Sequence, residues 1–153
     1  MLFMTQLTTN FTLEELTATS TGLDNMPPLR SSAMSTIKAM ARILQECRDI
    51  LAKPIIVNSC YRSPRVNARV GGSRSSYHLT GSAVDISTYH YISYDKVTLE
   101  NALRKYKPVE FIKYDTFWHV AFDFARLGNR GPVTTYQMEY PDLTPDAPHP
   151  PDL

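Results

Sequence analysis

A chain of 153 residues with 42% hydrophobic content is long enough for one domain with one real core. Its formal net charge of +1 gives no general attraction to nucleic acid or to an anionic membrane, and the arginines at 62, 65, 69 and 74 are too sparse to line a nucleic-acid groove. No apolar run approaches the roughly 20 residues of a membrane span, and Met1–Leu7 lacks the basic leader, apolar core and cleavage site of a secretory signal. A soluble protein made in the cytoplasm is therefore expected, with any substrate outside that compartment reached by release or delivery. The two cysteines, Cys47 and Cys60, form no Cys-x-x-Cys pair and read as buried free thiols.

In chain order, Thr12 and Glu15 make a capping-box pattern at the start of a short helix, with Phe11 placed to staple onto Leu16. Asn25-Met26-Pro27-Pro28 is a rigid loop. Over 29–52, Leu29, Ala33, Ile37, Met40, Leu44, Cys47 and Leu51 recur at spacings of three and four, which predicts a long amphipathic helix. The β-branched run at 55–60 predicts a buried strand, and Ser63-Pro64 a capped short helix through Val70. Residues 71–76 form a Gly/Ser loop, and 82–87 a second strand. A helix capped by Ser93 or Asp95 runs to Tyr106, with Val97 on its apolar face. Two further strands, 109–114 and 117–124, flank a turn at Asp115-Thr116. The segment 141–153, with five prolines and three aspartates, reads as a disordered tail behind a domain at 1–140. The order predicts an α+β domain with a small, mainly antiparallel sheet and helices packed around it.

The chemistry concentrates in Ser76-x-His78-x-x-Gly81-x-Ala83-x-Asp85, followed by Trp118-His119-Val120. Two imidazoles and one carboxylate are a common ligand set for a catalytic zinc with one position left for water. Taken singly, each residue has a plainer reading: a loop histidine, a buried ion pair for Asp85, a core histidine at 119. His90 and His149 keep that plainer reading, because neither has a ligand partner nearby in sequence. For the other three, the joint pattern outweighs it.

That pattern resembles the zinc D-Ala-D-Ala carboxypeptidases and related peptidoglycan peptidases, which share a fold with lysostaphin-type enzymes and the hedgehog signalling domain. The resemblance extends upstream through Asn10-Phe11-Thr12-Leu13-Glu14-Glu15, Asn25-x-Pro27 and Val57-Asn58-Ser59-Cys60-Tyr61-Arg62-Ser63-Pro64, and includes Asn67 and Val70-Gly71-Gly72-Ser73. It covers residues 10–124 and is similar to the branch common in phage and small cell-wall hydrolases.

The resemblance implies zinc held by His78, Asp85 and His119, Arg62 as a catalytic and substrate-holding residue, and Ser76 as a substrate contact. It implies a D-Ala carboxypeptidase or endopeptidase acting on peptidoglycan peptide as a monomer, with no nucleic acid and no membrane as partner, in phage lysis or cell-wall penetration. The general base departs from the pattern. Relatives carry a glutamate three residues before the last histidine, or a histidine two before it; here those positions are Thr116 and Phe117. Asp115 is the expected base, provided the turn returns it to the site, with Glu110 as the other choice. The missing standard base keeps open a rival reading, a catalytically inactive zinc-containing module that binds cell wall or belongs to a virion.

Overall fold

The computed structural model describes residues 4–127; the expected tail at 141–153, His149 and the first three residues lie outside them. The elements run α1 (Leu13–Leu16), α2 (Ser32–Leu51), β1 (Val57–Ser59), α3 (Pro64–Arg69), a 3₁₀ turn (Tyr77–Thr80), β2 (Ala83–Ser87), α4 (Ser93–Arg104), β3 (Glu110–Lys113) and β4 (Phe117–Ala121). This is the expected α+β class. The four strands form one open antiparallel sheet in the order β1-β2-β4-β3.

The caps set the helices. Thr12 and Glu15 form the reciprocal capping box of α1, and Phe11 and Leu16 are both buried in the core. Ser31 caps α2 by accepting from the Met34 amide, so that helix starts three residues later than its apolar stripe suggests and leaves Leu29 exposed. Ala52 ends it in the left-handed conformation. Ser63 caps α3 with Pro64 in the first turn, as expected. Helix α4 differs from expectation at both candidate caps. Its N-cap is Ile92, which makes no side-chain bond, and Asp95 sits inside the first turn, where both of its oxygens accept from Lys53 at 2.8 Å. Val97 is exposed; the buried residues of α4 are Asp95, Leu99, Ala102 and Leu103.

Register fixes which side chains share a face. Asp85 stands opposite His119, and His119 opposite Ile112; Ser59 stands opposite Asp85. Side chains alternate along a strand, so Ser59, Asp85, His119 and Ile112 form one row on one face. Val84, Ile86, Trp118 and Val120 take the other face and belong to the same hydrophobic core as the buried residues of α2 and α4. Strand β1 is shorter than the apolar run at 55–60, and its pairing with β2 shifts register between Val57 and Ser59. Gly81, at φ 77°, ends the 3₁₀ turn; a Cβ there would meet Ile37 Cγ1 at 2.9 Å, so glycine lets this turn close against α2.

Candidate metal centre

Each of the three ligand candidates arrives on a different element. Asp85 is central in β2 and His119 central in β4, and antiparallel pairing makes them direct neighbours. His78 comes from the 3₁₀ turn, whose N-cap Ser76 accepts the His78 amide at 3.1 Å. Gly81, in the left-handed conformation, turns the chain from that 3₁₀ segment into β2. The three ligand atoms lie within 4.8 Å of one another, and the residues are 0–2% exposed.

The pairwise distances assign the inward atoms. His78 Nε2 is 3.3 Å and His119 Nδ1 is 2.9 Å from the same oxygen, Asp85 Oδ1. The opposite ring nitrogens face other partners. His78 Nδ1 donates to the Cys60 carbonyl at 2.5 Å, and His119 Nε2 donates to Glu110 Oε1 at 2.7 Å. A ring whose outer N–H is held by a carbonyl or carboxylate presents its other nitrogen, with its lone pair, to a metal. Asp85 Oδ2 accepts no hydrogen bond among the described residues and lies 3.7 Å from Arg62 Nη2. These donors fit a zinc ion: two imidazoles and a carboxylate, buried and preset.

Burial opposes a charge on His119, but the hydrogen bonds of Asp85 and Glu110 outweigh it and push its pKa up to about 9. The proton on the ring lets it lie between two neighbouring carboxylates, and a metal held by His78, Asp85 and His119 would supply positive charge in its place.

Arg62 is 2% exposed and is held by design of its surroundings. Its Nε donates to Ser59 Oγ at 3.2 Å and its Nη1 to Asn67 Oδ1 at 3.5 Å. Its backbone amide donates to the His78 carbonyl at 2.9 Å, which ties the arginine to the turn that carries a ligand. A cavity of about 60 Å³, lined by Thr19, Ser20, Asn58, Ser59 and Arg62 among others, opens beside the guanidinium. Ser76, 3% exposed, is engaged as the cap of the His78 turn.

The two candidate bases separate. Asp115 lies with Thr116 in the loop 114–116 between β3 and β4, closed by Tyr114 N–H donating to the Phe117 carbonyl at 2.9 Å, and it is exposed. Strand β4 is extended only from Phe117 onward, and Asp115 precedes His119 by four residues, two of them in the bend. Glu110 is the acid at the site, but its oxygen sits on the ring nitrogen of His119 that faces away from Asp85.

Two contributors have roles that the sequence reading did not assign. The Cys60 carbonyl is a backbone group, for which side-chain patterns carry no signal. Asn25, read as part of a rigid loop, is buried and donates to the carbonyls of Thr17 and Tyr61, both at 2.8 Å, while its Oδ1 accepts from the Ser63 amide at 2.7 Å. It thereby clamps the chain on either side of Arg62. The two cysteines are free and buried, as expected.

A small antiparallel sheet presenting a preset His–Asp–His cluster has the donor set of a mononuclear metallohydrolase. The family model described as Peptidase M15 matches residues 6–121. The chain belongs to that family, and it is a metallopeptidase. No curated protein matches the sequence. Among the described residues, no helix is long and apolar enough to cross a membrane.

Proposed function

We propose that this protein is a zinc-dependent peptidase that hydrolyses an amide bond in bacterial peptidoglycan, in a stem peptide or a cross-link. The observation that carries the reading is the convergence of His78 Nε2, Asp85 Oδ1 and His119 Nδ1 inside a chain of the Peptidase M15 family. Bound there, zinc supplies a Lewis acid that polarises a carbonyl and lowers the pKa of water. The chain's own residues do the rest. Cys60 and Glu110 keep the two imidazoles turned inward. Arg62, fixed by Ser59 and Asn67 and bordering the small hydroxyl-lined cavity, offers a planar fork to a substrate carboxylate or carbonyl. Ser76 serves the site by capping the His78 turn. The setting proposed is phage lysis or cell-wall penetration by a monomer acting on the wall after release or delivery.

One observation favours a second reading. With Asp115 at the hairpin tip and Glu110 bound to the outer nitrogen of His119, a zinc-containing module that binds cell wall without cutting it has a physical basis. Mass spectrometry of purified peptidoglycan fragments, incubated with the protein plus zinc, plus chelator, or with His119→Ala, separates the two. Zinc-dependent release of a defined mass, lost in His119→Ala, is the expected result, and the mass names the bond. A zinc-loaded protein that binds fragments and releases nothing would establish the module instead.

A further inference from the structure

The cross-strand row next to the metal centre carries a different chemistry. Tyr114 and Phe117 close the β3–β4 hairpin and stack with ring centroids 4.6 Å apart at 20°. Alternation puts Phe117 on the face of His119, and Tyr114 on the face of Ile112. That is the face of the His–Asp–His cluster, one row away, about 6.8 Å along the strand. Most neighbours of the cluster on this face are buried: Ser59, Ser87 and Glu110 are polar, Ala83 and Ala121 small. Ile112, Tyr114 and Phe117 are the half-buried ones. Among the strand residues on this face, the half-buried apolar ones thus lie in β3, β4 and the loop between them.

The geometry points to Tyr114 and Phe117, with Ile112 beside them, as a substrate shelf that selects a small aliphatic side chain within two residues of the scissile bond. This rests on the peptidase reading above. An extended peptide has the same repeat as the strand, two residues per row. A substrate with its reacting carbonyl at the cluster therefore lays a nearby side chain over the rings. A methyl group gains contact there, whereas a charged group would lose water against the ring faces. A purely structural role for the ring pair in the hairpin predicts no such selectivity.

The test uses the zinc-loaded full chain and a peptide series with alanine, glycine or aspartate at each position within two residues of the scissile bond. Cleavage is followed by mass spectrometry, and binding separately by isothermal titration. The wild type is expected to prefer alanine over glycine at one position by about 10-fold, the discrimination one methyl group can give. In Phe117→Ala that preference collapses to within about two-fold, and Phe117→Leu restores it. Zinc content and circular dichroism of each variant report whether the centre and the fold are intact. Retention of the full preference in both Phe117→Ala and Tyr114→Ala overturns the shelf. So does a loss confined to fragments bearing sugar, which would assign the rings to the glycan. If the wild type cuts no peptide, the peptidase reading fails. The shelf is still judged by the alanine–glycine difference in binding, and no measurable binding overturns it as well.

Discussion

Glu110 Oε1 lies 2.7 Å from Nε2 of His119, whose Nδ1 lies 2.9 Å from Asp85 Oδ1. One imidazole therefore joins two carboxylates, and the outer one decides which nitrogen faces the metal. Glu110 is a positioning residue in this arrangement. Glu110→Ala is expected to weaken zinc affinity by about 10–100-fold, the usual consequence of losing an outer partner of a ligand histidine. Glu110→Gln should fall in between, because an amide oxygen still accepts from Nε2–H while the charge is gone. Competition against a chromophoric chelator measures the affinities, and imidazole nitrogen chemical shifts report the tautomer. Unchanged affinity and tautomer in Glu110→Ala would refute the assignment.

Asp115 is expected to be dispensable. It is exposed in the bend of the β3–β4 hairpin and is in none of the contacts that tie Asp85, Glu110 and His119 together. Asp115→Ala should hold kcat/KM within about two-fold of the wild type, since exposed substitutions away from a site cost little. A fall of a hundredfold or more would mean that the hairpin bends over the centre during turnover and would return the base to Asp115.

These two acids also mark what the sequence could and could not tell. Caps are local, so Thr12 with Glu15 and Ser63 with Pro64 were readable three or four residues at a time. The His78, Asp85 and His119 cluster was readable as a pattern resembling a family, not from spacing alone. Which acid reached the site depended on register: Glu110 stands opposite Ala121, and its side chain crosses diagonally to His119. No periodicity within either strand contains that information. Val97 failed for a related reason, since α4 packs against α2 and buries Leu99, Ala102 and Leu103, leaving Val97 exposed.

Asn25 is predicted to matter more than a loop residue should. Its three hydrogen bonds span the chain from Thr17 to Ser63 and bracket Arg62. Asn25→Ala leaves the Thr17 and Tyr61 carbonyls and the Ser63 amide without this partner. A loss of about 1–3 kcal/mol in urea unfolding is expected, the cost of unsatisfied buried groups. Asn25→Asp should not rescue it, because a carboxylate cannot donate to the two carbonyls. Stability unchanged in Asn25→Ala would show that the clamp is not needed.

The thiols should be inert in the folded protein. Burial, together with the charge of Glu46, pushes the Cys47 pKa up to about 12, and burial also raises that of Cys60. The thiolate is the reactive form, so at pH 8 neither cysteine offers a nucleophile. Alkylation by iodoacetamide is expected to label neither residue in the native state and both in denaturant. Rapid native labelling of Cys60 would show that the strand beside the metal centre opens readily.

Gly72 links stability to the site through contact alone. A Cβ there would collide with Asn67 Oδ1 and approach Arg62 Nη1 at 3.1 Å. Asn67 in turn is tied on both sides, its Nδ2 donating to the Ser73 carbonyl at 2.9 Å and its carbonyl accepting from Gly72 N–H at 2.9 Å. It cannot yield without breaking the loop that leads to His78. Gly72→Ala should therefore cost about 1–3 kcal/mol, as overpacking does, and displace Arg62 from Asn67. If Arg62 holds substrate, the same variant raises KM while zinc affinity stays near the wild-type value. Pairing it with Asn67→Ala, which removes the obstructing side chain, should recover part of the stability and none of the substrate binding. Recovery of both would show that Arg62 needs no support from Asn67.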